Sequence, residues 1–352
     1  MTRIFKHRLI WPIAALVALI VLNSISRPSF LSITITRGQL YGSLIDILRD
    51  SAPLMLVALG MALVIATRGI DLSVGAQMAI SGSVALTIIA DSKTPNSLGT
   101  VVVAILAGVA ITLVFGLWNG FLVGVVGIQP IIATLVLMLA GRGIALLITG
   151  GFITTITSTP YAVLSQGHVL GFPVAFLVSA IAIAIVTVLV RRTALGVLTE
   201  AVGINPSASR LAGVRSRGIV WSLYGLSGLL AGMAGILYSS NIMAADANNA
   251  GINIELDAIL AVVLGGTSLA GGKFTLAGTV IGVFIIQTLT STITFLGVPP
   301  AVTPVFKAVV VIIVCLSQSQ RMRGWISGLR PPKRLVVTTP NETPIATNRT
   351  TA

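Results

Sequence analysis

Few side chains in this sequence are suited to acid–base, nucleophilic or metal chemistry. Among its 352 residues there are two histidines, His7 and His168, and one cysteine, Cys315, which lies in an apolar run. The nine acidic residues are scattered, and neither the HExxH nor the GxSxG pattern occurs. An enzyme site needs a nucleophile, an acid–base pair or metal ligands close together. The residues therefore predict no catalytic site and no metal site.

One glycine-rich segment, from Gly266 to Phe274, has some likeness to a phosphate-binding loop. That motif requires a glycine, four further residues and then Gly-Lys-Ser/Thr, so that backbone amides hold phosphates and a hydroxyl holds magnesium. Here Thr267 stands at the first glycine position and Phe274 at the hydroxyl position. The segment also lies between two apolar runs. We therefore expect that the chain itself binds neither ATP nor another cofactor.

The composition indicates that helices in a membrane must position the remaining polar residues. Hydrophobic residues make up 55% of the chain and charged residues 9%, and the mean hydropathy is +1.02. Soluble domains carry about 25% charged residues. This composition excludes a water-soluble enzyme, a disordered chain and a secreted disulfide-bonded scaffold. It predicts an all-α polytopic membrane protein.

Ten apolar stretches are long enough to cross a bilayer, which takes about 20 residues. None shows the sustained alternation of an outer-membrane barrel strand. Two of them, near 72–90 and 255–271, are rich in glycine or polar residues and are either full crossings or broken, re-entrant segments. The ten stretches lie at about 9–26, 52–68, 72–90, 100–126, 129–149, 170–190, 219–240, 255–271, 274–296 and 300–318.

The basic residues predict the orientation of these helices. Lys and Arg number 22 against 9 acidic residues, a net charge of +13, but they lie between apolar runs and not along one face, so they do not indicate nucleic-acid binding. With the amino terminus inside and ten crossings, most of them fall on the inner side, in agreement with the positive-inside rule. We therefore expect both termini in the cytoplasm.

The chain is expected to have three parts. Residues 1–26 contain a basic tail and a first helix, whose apolar stretch is rather long for a cleaved signal peptide. Residues 27–320 are expected to form the transmembrane domain, and residues 321–352 a disordered cytoplasmic tail.

A faint repeat relates two segments of the transmembrane domain. Ile70-Asp71-Leu72 and Leu256-Asp257-Ala258 each open a small-residue-rich apolar segment, and the two segments are predicted to run in opposite directions. Inverted repeats with broken segments are typical of transport pathways. Arg68 lies one helical turn before Asp71 and is expected to pair with it, either structurally or in a proton relay.

The longest polar insertion on the inner side covers residues 191–218. Asn205-Pro206 is typical of a helix start and Gly213 of a helix stop, which predicts a short helix over about 206–212. The loop is either an ordinary basic loop or a docking site for a cytoplasmic partner.

Three segments together resemble the permease family of bacterial ATP-binding-cassette importers for ribose, xylose, galactose and related monosaccharides. They occur in family order, and the resemblance covers roughly residues 40–320. Two further segments, 128–143 and 244–251, are most similar to galactofuranose-type permeases. The three main segments are TRGIDLSVGAQMAISG (67–82), TEAVGINPSASRLAGV (199–214) and ELDAILAVVLGGTSLAGGKF (255–274).

The resemblance implies an inverted-repeat importer permease in the bacterial inner membrane. It implies two permease chains, identical or related, two ATPase subunits that hold ATP and Mg²⁺, and a periplasmic sugar-binding protein. A coupling helix in each permease would receive the motion of the ATPase, although the spacing here differs from that of other importer classes, which leaves the contacting residues open. The matching positions are Glu200, Ala201, Gly203, Asn205, Pro206, Arg210 and Gly213.

Polar residues in or near the apolar spans are candidates for the sugar path. An unpaired buried amide costs about 2–7 kcal/mol, so such groups face a wet cavity or one another. Each has a structural alternative, such as carbonyl capping by Arg142 or helix–helix contact at Asn119. The candidates are Asp71, Asn119, Gln129, Arg142, Asn248, Asn249 and Asp257.

These observations favour the membrane subunit of an ATP-driven importer for a galactofuranose-like monosaccharide. A permease for ribose or for another pentose or hexose is the alternative within the class. A stand-alone ion-coupled carrier is disfavoured by the cytoplasmic helix and by the lack of deeply placed carboxylates. A membrane enzyme is disfavoured because no catalytic group of residues is present.

Overall fold

The computed structural model describes residues 9–36, 38–297, 299 and 302–318. The predicted tail over 321–352 and the basic start lie outside the described residues.

The helices are α1 (Ile10–Ser26), α2 (Ser43–Ala66), α3 (Val74–Ala90), α4 (Leu98–Phe121), α5 (Pro130–Ile148), α6 (Thr159–Gln166), α7 (Val174–Arg192), α8 (Leu195–Ile204), α9 (Pro206–Leu211), α10 (Ser216–Ile242), α11 (Ile254–Leu264), α12 (Leu276–Phe295) and α13 (Thr303–Gln318). Short antiparallel pairs join β1 (Thr34–Thr36) to β2 (Gln39–Tyr41), β3 (Thr154–Thr155) to β6 (Ala244–Ala245), and β4 (His168–Val169) to β5 (Phe172–Pro173).

Within the described residues, six helices are long and apolar enough to cross a membrane. They are α2, α4 with its π-helical continuation to Val126, α5, α7, α10 and α12. The predicted stretch near 72–90 forms the continuous 17-residue helix α3. The molecule is thus mostly helical, as expected for a polytopic membrane protein, and the number of full crossings stays a prediction.

The stretch predicted near 255–271 is broken. Its helix, α11, has only 11 residues, which at 1.5 Å per residue is about 16 Å, against about 30 Å for a bilayer core. Glycines at positions 265, 266, 271 and 272 follow it, and the last three have positive φ angles that favour glycine. The residues after α11 therefore turn instead of extending the helix.

The core is centred on α2, whose residues from Leu54 to Ala66 are almost all buried. This helix packs against α7, α10, α11 and α12. By contrast, α4, α5 and α7 expose rows of large apolar side chains, such as Leu106, Leu139 and Ile185. Such an exterior is suited to lipid and not to water.

The connections between helices alternate between two opposite ends of the molecule. The α8 face contains residues 67–73, 122–129, 193–215 and 265–275, and the α6 face contains residues 27–42, 91–97, 149–173 and 243–253. On the α8 face, the Gly272 N–H donates to the Ala66 carbonyl at 2.8 Å. On the α6 face, β3 pairs with β6, and the Ser158 hydroxyl donates to the Pro95 carbonyl at 2.7 Å.

Two groups of helices pack in the same way. Helix α2 packs on α11 and α12, α10 packs on α3 and α4, and within each group α3 contacts α4 and α11 contacts α12. In this pattern α2 corresponds to α10, and α11 and α12 correspond to α3 and α4. Helix α3 follows Asp71 and helix α11 contains Asp257, so the two corresponding helices are those of the faint repeat in the sequence.

Candidate polar cavity and docking surface

Helices α8 and α9 protrude together on the α8 face. The Asn205 side chain accepts hydrogen bonds from the N–H groups of Ser207 at 3.1 Å and Ala208 at 3.0 Å, and Pro206 occupies the first helical turn. Gly213, with φ of +83°, follows the end of α9. The helix predicted over about 206–212 is therefore confirmed, with its cap at Asn205 and its end before Gly213.

The α8–α9 segment exposes large apolar side chains among its polar ones. The side chains of Val197, Ile204 and Leu211 are spaced by seven residues and are exposed, Leu211 to 91%. Exposed apolar groups of this size mark surfaces that contact other proteins. Of the predicted coupling residues, Glu200, Ala201 and Pro206 are half-buried, Gly203 is buried, and Asn205, Arg210 and Gly213 are exposed.

Gly203 anchors this segment to the body of the molecule. A Cβ added there would lie 1.9 Å from the Ala66 carbonyl oxygen and 2.5 Å from the Gly272 nitrogen. Only glycine allows such a close backbone approach. We call this meeting point of α8, the end of α2 and the turn after α11 the Gly203 junction.

Arg68 completes the Gly203 junction, and its predicted pairing with Asp71 is wrong. Its Nε donates to the Gly203 carbonyl at 2.6 Å and its Nη2 to the Ile204 carbonyl at 2.5 Å. The last carbonyls of a helix lack intrahelical partners and attract cations. A φ of +67° gives Arg68 a left-handed backbone, and its guanidinium reaches the end of α8 instead of Asp71.

Asp71 lies instead in a buried polar cluster beside α3, α4 and α10. Ser73 donates to its Oδ1 through N–H at 3.1 Å and through its hydroxyl at 2.6 Å, and the Ser227 hydroxyl donates to Oδ2 at 2.9 Å. The amides of Gln77 and Asn119 donate to Ser73 Oγ at 2.7 Å and 2.9 Å. All five side chains are essentially unexposed. Asp71 and Asn119 are thus brought together as links between helices, which is the structural alternative for Asn119.

A second polar site is a cavity of about 220 Å³ near the α6 face, between α2, α10, α11 and α12. Its polar walls include carboxylates, amides, a hydroxyl and an ammonium group. Such concave sites with a few convergent polar groups are typical of small-ligand binding. The side chains that line it include those of Asp50, Asn249, Asp257, Gln287, Thr290 and Lys307.

An ion pair forms part of the cavity wall. Lys307 Nζ donates to Asp257 Oδ2 at 2.7 Å, and both side chains are largely buried, with exposures of 13% and 22%. The pair joins α11 to α13. Within the described residues, no group of three or more His, Cys, Asp or Glu side chains is placed to hold a metal ion.

The loop before α11 positions Asn249 at the cavity. Asp246 Oδ1 accepts from the N–H groups of Asn248 and Asn249, and its Oδ2 accepts from the Asn249 amide at 2.7 Å. The hydrogen bond from the Asn249 side chain holds the pKa of Asp246 below its ordinary value. Asn248 is also exposed in this loop but does not line the cavity.

Arg142 holds the same loop from the other side. Its Nη1 donates to the carbonyls of Ala247, at 3.1 Å, and Ala250. Both carbonyls belong to the loop between α10 and α11 and not to a helix end, so Arg142 holds this loop and does not cap a helix. Gln129 is exposed at the start of α5 on the α8 face, far in the fold from the cavity, so the structure brings neither Gln129 nor the Asp71 cluster to it.

Sequence reasoning missed several residues of these sites. Lys307 lies within the predicted span 300–318, and a cation in an apolar span signals either a pair or a wet cavity. Gln287 gives a similar signal inside the apolar helix α12. Asp50 and Ser227 gave no local signal, because their role depends on helices far apart in the sequence.

Comparison with known proteins identifies the family. Residues 43–315 match the family described as "Branched-chain amino acid transport system / permease component". The chain is 45% identical to the galactofuranose transporter permease protein YtfT of Escherichia coli, over 92% of this chain and 95% of that protein. It is 39% identical to the fructose import permease protein FruF of Bifidobacterium longum, over 95% and 94% of the two chains.

A further relative is the ribose import permease protein RbsC of Bacillus subtilis, which is 38% identical over 87% of this chain and 91% of its own length. No solved structure matches the chain. The resemblance to sugar-importer permeases is therefore confirmed over nearly the whole sequence. The chain belongs to this family of membrane-embedded transport permeases.

Proposed function

We propose that the chain is the membrane-spanning subunit of an ATP-binding-cassette importer that moves a galactofuranose-like monosaccharide across the bacterial inner membrane. Identity of 45% to a galactofuranose permease, over nearly the full length of both chains, supports this choice of sugar. The observation that carries the proposal is the placement of a polar cavity near one face and a protruding apolar surface on the opposite face.

The cavity chemistry suits a neutral sugar. Each sugar hydroxyl both donates and accepts hydrogen bonds, and the cavity offers Asn249, Gln287 and Thr290 as groups that do the same. The charges of Asp257 and Lys307 neutralise each other, and Asp50 is paired with Arg49 at 2.9 Å. A neutral ligand therefore meets polar walls without an uncompensated charge. In this proposal Asn249 and Asp257 line the sugar path, and Arg142 and Asn248 take part in the contacts that hold the loop beside it. Asp71, Asn119 and Gln129 lie away from the cavity.

The opposite face suits an ATPase partner. The α8–α9 segment exposes Ile204, Arg210 and Leu211 next to the Gly203 junction, through which a push on α8 reaches α2. A separate ATPase subunit would bind there and hold ATP and Mg²⁺. The importer would also contain a second permease chain and a periplasmic sugar-binding protein at the α6 face. In this proposal about ten helices build the transmembrane domain, and both termini lie in the cytoplasm.

Reconstitution into liposomes tests the proposal. The chain together with its ATPase, a second permease chain and its sugar-binding protein should accumulate galactofuranose only when ATP is supplied, and ribose or fructose should compete weakly. Stronger uptake of ribose would assign the chain to the ribose type instead. Accumulation by the chain alone under a proton or sodium gradient would show that it is a carrier and overturn the proposal.

The predicted role of the docking surface has its own test. Glu200→Ala should lower sugar uptake while the chain still inserts and assembles, because Glu200 is half-buried in the α8–α9 segment. Uptake and membrane content would be measured in the same preparations. Normal uptake by this variant would remove Glu200 from the docking surface.

A further inference from the structure

The Asp257–Lys307 ion pair lies between two separate spaces. On one side is the polar cavity of about 220 Å³. On the other is a larger groove of about 660 Å³ between α11 and α13, lined mainly by apolar side chains such as Leu256, Leu260 and Val311. Asp257, Lys307 and Ile252 line both spaces. These three side chains therefore form the wall between the cavity and the groove.

The wall depends mainly on the charge pair. Asp257 is in the first turn of α11, where a negative charge is favoured by the helix dipole. Lys307 lies in the second turn of α13, where the dipole of its own helix gives a positive charge no support. The position of Lys307 is thus explained by Asp257 and not by its own helix. The 2.7 Å contact closes the wall by bringing the two helices together.

The helix that carries Lys307 is attached to few other elements. Helix α13 contacts α1, α11 and α12, and it exposes Val305 and Val309 away from the groove. Helix α11 is short and is followed by a glycine-rich turn. Separation of the two helix starts would therefore disturb little of the core around α2. It would join the cavity and the groove into one continuous space.

We propose that Asp257 and Lys307 form a latch that separates the cavity from the α11–α13 groove and opens in each transport cycle, so that the groove continues the sugar path. This inference rests on the proposed function. Sugar hydroxyls can replace the hydrogen bonds that the two charged groups lose when they part. The latch gives Asp257 a second role beyond lining the cavity, and it assigns a role to Lys307.

The first experiment asks whether the pair acts as a unit. Asp257→Asn and Lys307→Met should each reduce ATP-driven uptake by at least tenfold in the assembled transporter. The charge-reversed double variant, Asp257→Lys with Lys307→Asp, should recover at least a third of the wild-type uptake. Wild-type uptake in both single variants, or no recovery in the double variant, would overturn the latch.

The second experiment separates a latch from a permanent structural tie. In a Cys315→Ser background, Leu256→Cys on α11 and Ala308→Cys on α13 leave the ion pair intact, since both positions only line the groove. Joining them with a short bifunctional thiol reagent should reduce uptake at least tenfold while ATP hydrolysis continues. A mere tie would tolerate this link, so normal uptake by the linked protein would overturn the proposal.

The third experiment uses the purified chain alone and does not depend on the transported substrate. Spin labels at the same two cysteines should report a single α11–α13 distance in the wild-type background, and Asp257→Asn should shift the distribution to longer distances. An unchanged distribution would overturn the latch. Failure of the proposed function would appear differently, as a lack of ATP-driven sugar uptake by the wild-type transporter.

Discussion

At the scale of single residues, Asp71 is the most consequential polar group outside the cavity. Its carboxylate is completely buried, so the expected lack of deeply placed carboxylates is wrong. Its hydrogen bonds come from the neutral groups of Ser73 and Ser227. Removing such an acceptor leaves buried hydroxyl and amide groups without a partner, at about 1–3 kcal/mol for each group. The cluster therefore fixes the loop 67–73 to α10 in one arrangement.

Asp71→Ala should consequently destabilise the fold. We expect a clearly lower unfolding temperature in detergent, because one or two buried polar groups lose their hydrogen-bond partner, at about 1–3 kcal/mol for each group. The exposed Asp91, at the end of α3, provides the matched control, and Asp91→Ala should unfold at the wild-type temperature. Equal stability of the two variants would contradict the role of the cluster.

The contacts of a single residue could be predicted only where its hydrogen-bond or ion-pair partner lies close to it in the sequence. The Asn205 cap was predictable because its partners are the next two or three residues. The partners of Asp257 and Asp71 lie 50 and 156 positions away, at Lys307 and Ser227. A single sequence does not show such pairings, and a short-range rule wrongly assigned Arg68 to Asp71.

At the scale of elements, the Gly203 junction fixes the position of α8 against the end of α2 and the turn after α11. The Gly203 backbone touches the Ala66 carbonyl and the Gly272 amide, and both neighbours are backbone atoms that cannot rotate away. Overpacking of this kind costs about 1–3 kcal/mol or more. Movement of α8 must therefore carry the end of α2 and the turn after α11 with it.

Gly203→Ala should break this contact. We expect lower stability and at least a fivefold loss of transport, because the added methyl group forces α8 away from α2. Gly218, in the first turn of α10, has open space around its Cβ position and an ordinary φ. Gly218→Ala should therefore be tolerated or slightly stabilising, since alanine favours helix by about 0.5–1 kcal/mol. A harmless Gly203→Ala variant would mean that α8 is loosely held.

The elements themselves were largely predictable, because apolar runs of helical length are strong signals. Helices occur within every one of the ten predicted stretches. The short helices α6 and α8 are not predicted by this signal, because they have only 8 and 10 residues and are therefore too short to be recognised as spans. The break after α11 was left open by the sequence, since glycine occurs both in packed membrane helices and in turns.

At the scale of the whole molecule, connections and functions are divided between two faces. The α8 face carries the α8–α9 segment and the Gly203 junction, and the polar cavity lies toward the α6 face. Leu211 on one face and Leu170 on the other are exposed to 91% and 93%. These two side chains therefore report the orientation of the molecule in a membrane.

We expect the α8 face to be cytoplasmic. In a Cys315→Ser background, Leu170→Cys should react with a membrane-impermeant thiol reagent in cells whose outer membrane has been opened. Leu211→Cys should react only after the inner membrane is also permeabilised. The reverse result would show that the α8 face is periplasmic, and the α8–α9 segment could then not bind the ATPase.

The shortness of α11 has a consequence for biogenesis. A helix of 11 residues is too short to partition from the translocon into lipid by itself. Its most extensive contacts are with α2 and α12, and α12 is synthesised after it. Helix α11 should therefore wait beside the insertion machinery until α12 has left the ribosome, and the two should enter the bilayer as one hairpin.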